Sequence, residues 1–192
     1  ALPKEGFTIG CGYAPVTLDS SCSFPLPMSH LYLIRHGLAG EHGSYANDHD
    51  RPLTEEGKKK TRQIAKQLQQ LGLHFDQMLT SPLVRARQTA DILQEAGLTD
   101  HLEESALLAG GGSIQPWLEW LSHWQGAEDA CLALVGHEPD LSAWAEILVW
   151  GESGDRLILK KAGIIGLEMP DRKDPIGKCQ LFWLTPPRFL LP

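Results

Sequence analysis

An apolar run that stops at a charge constrains this chain more than any other feature. His30-Leu31-Tyr32-Leu33-Ile34 has the composition of a buried strand, and it ends abruptly in Arg35-His36-Gly37. A guanidinium and an imidazole therefore fall at the strand's carboxyl end, the rim on which open α/β sheets bind ligands. Taken alone, the tripeptide fits equally well a turn whose polar residues face water, since short motifs match by chance.

The residues that follow alternate between strand and helix. A polar loop runs through Asp50, and Thr54 is placed to cap a helix because its hydroxyl can accept from a first-turn amide. Thr61, Ile64, Ala65, Leu68 and Leu71 then recur at helical spacing, and Gly72 is a natural stop. Lys58-Lys59-Lys60 and Arg62 read as a solvated helix face. A second strand, about Phe75 to Thr80, leads into a helix with Ser81 at the N-cap and Pro82 at the first helical position. His101 to Leu108 holds a short strand, and Gly110-Gly111-Gly112 reads as a flexible loop because no Gly-Lys-Ser/Thr follows. Trp117, Trp120, Leu121 and Trp124 form an aromatic stripe of the core-packing kind. Ala130 to Val135 is uniformly apolar, as a central parallel strand should be, and Pro139 starts the next helix, buried along Leu141, Trp144, Ala145 and Leu148. Gly163 to Met169 and Lys178 to Leu184 are expected to form an antiparallel hairpin around Asp171 to Gly177, with a tail from Pro186. The fold class is α/β: a three-layer αβα sandwich with a mostly parallel central sheet.

Composition narrows what such a domain binds. With 192 residues and a formal charge of -7, the overall field does not favour nucleic acid or anionic membrane, and no apolar run approaches the length of a bilayer span. An anionic ligand must be held by a local cluster of cations. Cys131 and Cys179 sit in strand-like runs and read as reduced core residues, whereas Cys11 and Cys22 could pair only in an oxidising compartment. No Cys-x-x-Cys pair is present, and the His36, His42, His49 spacing matches no zinc pattern, so no metal is expected. Residues 1–27, rich in proline, glycine and serine, are expected to be an irregular N-terminal extension. The first methionine is Met28, and the native start is expected there, with a single domain over 28–192 in the cytoplasm.

Three strand-to-helix junctions carry reactive groups: Arg35 and His36, then Arg85, then His137. Gathered on one rim, two guanidinium groups and two imidazoles make an anion site, since arginine forks match phosphate oxygens. Helix-start amides after Ser81 and Glu138 could add donors. Phosphoryl transfer needs mainly positioning and charge stabilisation, which these residue types supply.

Four ordered motifs carry a resemblance: Leu-Ile-Arg35-His36-Gly37, Arg51-Pro52-Leu53-Thr54-Glu55-Glu56-Gly57, Ser81-Pro82-Leu83-Val84-Arg85-Ala86-Arg87-Gln88-Thr89-Ala90, and Val135-Gly136-His137. Together they cover about 30 to 150, and the chain resembles the histidine phosphatase superfamily of phosphoglycerate mutase-like enzymes, in its small SixA-type phosphohistidine phosphatase branch. The resemblance implies that His36 is the nucleophile that takes up the phosphoryl group. It implies that Arg35, Arg85 and His137 clamp the phosphate, that water hydrolyses the phosphoenzyme to inorganic phosphate, and that no cofactor or metal takes part. Arg35 is expected to help keep His36 neutral. Arg87 should face away from Arg85 and be structural. His30, His74, His101 and His123 read as solvated or satisfied side chains, while His42 and His49 lie where they could touch substrate.

The sequence departs from the larger relatives in its general acid. Those relatives hold a carboxylate after the second arginine motif to protonate an alkoxide. Here the nearest candidates are Glu103 and Glu104, with no clear match. A phosphohistidine substrate leaves through nitrogen and needs such an acid less, so the leading expectation is a phosphatase for phosphohistidine on a partner protein. The alternatives are a phosphomonoesterase for a small phosphorylated metabolite and a non-catalytic phosphate-binding module.

Overall fold

The computed structural model describes residues 28–191. The expectations for residues 1–27, and a pairing of Cys11 with Cys22, lie outside the described residues. Among those described, Cys131 and Cys179 are free thiols.

The strands are β1 (Ser29–Arg35), β2 (Gln77–Thr80), β3 (Leu102–Glu104), β4 (Cys131–Gly136), β5 (Ile164–Met169) and β6 (Gln180–Thr185). The helices are α1 (Glu55–Gln70), α2 (Val84–Glu95), α3 (Gln115–His123) and α4 (Asp140–Trp150). One six-stranded sheet has the order β3-β2-β4-β1-β5-β6. β1, β4, β2 and β3 run parallel, and β5 pairs antiparallel with both β1 and β6.

Both faces are covered, which is why the central strands read as unbroken apolar runs. Tyr32, Ile34, Met78, Ala133 and Val135 point to a core closed by Ile64, Ala65 and Leu68 of α1 and Ala86, Ala90 and Leu93 of α2. Leu31, Leu33, Leu79, Leu132 and Leu134 point the other way, onto Trp117 and Leu121 of α3 and Leu141, Trp144 and Leu148 of α4. This period of two across the sheet is the expected αβα sandwich. The two faces also locate a crevice. The chain leaves β1 for α1 on the first face and leaves β4 for α4 on the second, although β1 and β4 are neighbours. Their carboxyl ends thus flank a topological switch point, where open α/β sheets accept ligands.

Helix α1 begins as its sequence dictates: the Thr54 hydroxyl accepts from the Gly57 amide at 2.9 Å, and Glu55 and Glu56 occupy the positive first turn. Gly72, at φ +78°, supplies the left-handed stop. Leu71 was expected on the buried face but lies at the helix's C-cap, 55% exposed, because the helix ends one residue before it. Ser81 does not cap α2. Leu83 takes that position two residues later, without a side-chain hydrogen bond, because the Ser81 hydroxyl is engaged by the Leu83 amide at 3.2 Å and by His137. Of the tryptophan stripe, Trp117 is fully buried, while Trp120 and Trp124 stack on each other at 6.1 Å at the core's margin. The end from Pro186 is no loose tail: a 3-10 turn at Pro187–Phe189 brings Leu190 into the first core, where it is 5% exposed.

Candidate active site

His36 leaves β1 with its amide on the Gly136 carbonyl at 3.1 Å, so the turn after β1 lies beside the end of β4. The His36 and His137 rings face each other across this junction with centroids 5.2 Å apart. The peptide after His36 is fixed from both helices of the first face. The Gly37 amide donates to the Thr89 hydroxyl of α2 at 3.0 Å, and that hydroxyl donates to the Arg85 carbonyl at 2.8 Å. A β-carbon on Gly37 would lie 2.5 Å from the Thr61 hydroxyl of α1, so only glycine admits this approach. Gly57 is tighter still, since its β-carbon would meet the Leu38 carbonyl oxygen at 2.0 Å. That carbonyl accepts from the Thr54 amide at 3.0 Å, and the Leu53 amide donates to the Gln88 side chain at 2.8 Å. The second and third motifs thus serve largely as the cradle of the first.

The imidazole of His36 is 5% exposed, and its Nδ1 lies 2.7 Å from the Gly37 carbonyl oxygen. A carbonyl can only accept, so the hydrogen is assigned to Nδ1 and the lone pair to Nε2. Burial pushes the His36 pKa down to about 3, the Gly37 hydrogen bond opposes this, and the charges of His137, Arg85 and Arg35 add to the lowering. Arg35 thus helps to keep His36 neutral, as expected, although desolvation is the larger cause.

Arg35 and Arg85 are each held at one end. Arg35 Nη1 donates to the Leu159 carbonyl at 2.8 Å, and the loop carrying Leu159 is braced by buried Glu146, which accepts from the amides of Gly154 and Leu157. Arg85 is 6% exposed and donates through Nη1 to the Asp48 carbonyl at 2.8 Å, with Nη2 3.0 Å from the Asp48 carboxylate. In both guanidiniums Nε is buried with no partner among the described residues. His137, 6% exposed, has Nε2 2.8 Å from the Ser81 hydroxyl and Nδ1 without a partner. The Ser81 hydroxyl hydrogen has no other acceptor among the described residues, so it is assigned to His137 Nε2, which leaves Nδ1 as a donor. Burial, aided by Arg85, brings the His137 pKa down to about 4. Buried polar groups are seldom left unpaired, and three such donors around one imidazole suit an oxyanion.

Asp48 carried no signal of its own in the sequence. Asp48, in a 3-10 turn at Asp48–Asp50, ties the loop after His36 to Arg85: its carboxylate takes Arg51 Nε at 2.8 Å, Arg85 Nη2 and His42 Nδ1 at 3.0 Å. The Arg51 hydrogen bond, with help from His42 and Arg85, holds Asp48 down at about 2. Arg51 also donates to the Gly40 carbonyl at 3.0 Å. The one available clue was Arg51 at the head of the second motif. His42 reaches the site only through Asp48, and His49 lies near Asp50.

The candidate acids are engaged elsewhere. Glu103 accepts from Gln77 at 3.1 Å, and Glu104 takes Arg87, which also binds Asp91 at 2.8 Å. Arg87 is turned away from the pocket, as expected. The glycine triplet, expected as a plain flexible loop, instead borders the site: the Gly111 amide donates to Asp140 at 2.6 Å, and a β-carbon on Gly110 would touch the His137 ring at 3.8 Å. Among the described residues no group of three or more His, Cys, Asp and Glu side chains is arranged to hold a metal. No helix among them is long and apolar enough to cross a membrane.

Comparison with known proteins adds the following. The family described as histidine phosphatase superfamily (branch 1) matches residues 31–108. A protein of uncharacterized function from Picosynechococcus sp. is 52% identical over 163 residues, covering 84% of this chain and 99% of the relative. The mitochondrial serine/threonine-protein phosphatase Pgam5 of Drosophila persimilis is 34% identical over 103 residues, covering 53% of this chain. The match spans 35% of that relative's length. Among solved structures, the protein histidine phosphatase SixA complexed with tungstate superposes with a TM-score of 0.73 at 23% identity, covering 84% of this chain and 99% of that one. Phosphoserine phosphatase from Entamoeba histolytica superposes with a TM-score of 0.62 at 20% identity, covering 85% and 100%.

Proposed function

Because this chain belongs to the histidine phosphatase superfamily, a family of phosphatases, we propose that it removes the phosphoryl group from phosphohistidine on a partner protein by way of a phosphorylated His36. The observation that carries the reading is the Nδ1 contact of His36 with the Gly37 carbonyl, which leaves Nε2 as a buried, neutral nucleophile. The Nε2 lone pair attacks phosphorus as the bond to the departing nitrogen breaks. The leaving imidazole, protonated on its other ring nitrogen, departs neutral and needs no proton from the enzyme. Phosphorylated His36 then carries a positive ring whose Nδ1 hydrogen stays on the Gly37 carbonyl. Water attacks phosphorus, the bond to Nε2 breaks, and inorganic phosphate leaves with the water's proton passing to solvent. Arg35, Arg85 and His137 hold the phosphoryl oxygens and offset the charge that spreads over them in both steps.

The preference for a nitrogen leaving group is supported by the carboxylates around the pocket. Asp48 is ion-paired to Arg51 and Arg85, and Glu103 and Glu104 are turned to Gln77 and Arg87. One observation favours a phosphomonoesterase instead: Glu138, next to His137, has its pKa raised by burial against the opposing hydrogen bond of Ser142, and a protonated carboxyl could serve an alkoxide. The test offers phosphohistidine, phosphoserine and phosphotyrosine peptides and sugar phosphates to wild type, His36→Ala and Glu138→Gln. The proposal expects phosphohistidine turnover that His36→Ala abolishes and Glu138→Gln leaves intact. Preference for the esters, lost in Glu138→Gln, would replace it with the second reading.

A further inference from the structure

The rim of the pocket is unequal on its two sides. The loop after His36 is mostly polar, carrying Glu41, His42, Asn47 and His49. The opposite side, where β6 ends, is apolar. β6 runs in the direction of β1, and Thr185 is opposite Ile164, itself opposite Ile34, so its carboxyl end lies at the level of Arg35. There Ile158, Leu159, Lys160, Leu184, Arg188 and Phe189 line a groove of about 440 Å³. Ile158 and Phe189 are each 69% exposed and Leu184 is 43% exposed. Leu159 joins groove to site, since its carbonyl holds Arg35. Single exposed apolar residues need no explanation, but a contiguous set beside a binding site marks an interaction surface.

Charge indicates what the groove fits. The chain carries -7 overall, yet Lys160, Lys161 and Arg188 are exposed around this groove and take no part in an ion pair among the described residues. Arg188 lies instead over the Phe189 ring at 4.8 Å, which keeps an apolar face and a cation side by side. A phosphoryl group on a protein cannot reach a buried nucleophile unless the protein surface around it rests on the rim.

We propose that the Ile158–Leu184–Phe189 groove is the docking surface for the phosphohistidine-bearing partner, and that its occupant is a segment of that partner with an apolar side chain flanked by carboxylates. The proposal rests on the phosphohistidine reading above. Nine residues line the groove, fewer than the roughly 20–30 that each side of a standard interface contributes, and it acts as the apolar anchor while the rim supplies the remainder.

Three phosphohistidine peptides test this, with inorganic phosphoramidate as a probe too small to reach the groove. One is a bare tripeptide, one carries Leu, Phe and Glu beside the phosphohistidine, and one carries Lys and Ser there. Wild type should show kcat/KM about tenfold higher for the acidic apolar peptide than for the tripeptide, the scale of one buried leucine-sized side chain. Leu184→Asp should remove that advantage and leave phosphoramidate hydrolysis unchanged. Arg188→Glu should shift preference toward the lysine peptide, a gain that misfolding cannot produce. Equal wild-type rates on all three peptides, or a preference untouched by both variants, would overturn the docking surface while sparing the phosphohistidine reading. Turnover of phosphoramidate but of no phosphohistidine peptide would overturn that reading and the docking surface with it. A wild-type dimer in sedimentation that Leu184→Asp dissolves would make the occupant a second copy. A chain starting at Met28 that binds the acidic peptide more tightly than the full chain would make the occupant residues 1–27. Either result would overturn the proposal.

Discussion

Replacing His36 with asparagine should make the fold less sensitive to acid, and the size of the effect follows from the burial of the two imidazoles. An unfolded chain protonates a histidine near pH 6.5, whereas the folded chain resists until about pH 3 at His36 and about pH 4 at His137. At pH 8 neither state holds these protons and the histidines cost nothing. As pH falls through 6.5 the unfolded chain takes up protons that the folded chain refuses, so stability declines toward the folded values. At pH 5 each histidine should have removed about 2 kcal/mol, or about 4 kcal/mol together, a large part of the 5–15 kcal/mol typical of a domain. Asp48, held at about 2, acts in a lower window: its contribution is intact above pH 4 and is lost as pH falls toward 2. Glu138, raised by burial, works in the opposite sense and offsets part of the loss. Urea unfolding of wild type, His36→Asn and His137→Asn at pH 8 and pH 5 measures the difference. Each variant should lose about half of the wild-type pH dependence. If both keep the full wild-type difference, the acid sensitivity lies elsewhere and the account of two neutral buried imidazoles is wrong.

Four further outcomes are expected. Gly57→Ala puts a methyl 2.0 Å from the Leu38 carbonyl and should cost about 2–4 kcal/mol through the strain and the weakened Thr54 contacts; an unchanged thermal midpoint would argue against the close approach. Arg85→Lys cannot keep both Asp48 contacts and still offer a fork to phosphate, so kcat should fall about 100-fold, and near-normal kcat would remove Arg85 from the clamp. Arg87→Ala, whose side chain faces Asp91 and Glu104, should leave steady-state kinetics unchanged, and a large loss of kcat would contradict its outward orientation. Trp117→Ala opens a cavity between α3 and α4 and should cost about 3–5 kcal/mol in chemical unfolding, a loss that ready repacking of the second core would shrink.

The strand ends were legible because β1 and β4 announce burial on both faces and stop at polar residues, and the helix faces were legible because their apolar residues repeat at the helical period. Those patterns report which side of an element is inside, but not which side chain meets it there. Ser81 shows the difference: its sequence position suits a helix cap, yet the neighbouring strand brings His137 within 2.8 Å and the hydroxyl is spent there. Leu190 lies past a proline-rich stretch without periodicity, and only the turn at Pro187–Phe189 carries it into the core.

The sequence by itself determined the alternation of strands and helices, the position of Arg35, His36, Arg85 and His137 at strand-to-helix junctions, and the cap and stop of α1, because each depends on neighbours within a few positions. Tertiary structure decided which nitrogen of His36 is left free, which carboxylates are already paired, and that Asp48 couples the loop after His36 to Arg85. It also set the apolar groove beside Arg35, from residues between 158 and 189. These contacts join segments tens of residues apart, and the sheet order that places β4 between β1 and β2 is what brings them within hydrogen-bonding distance.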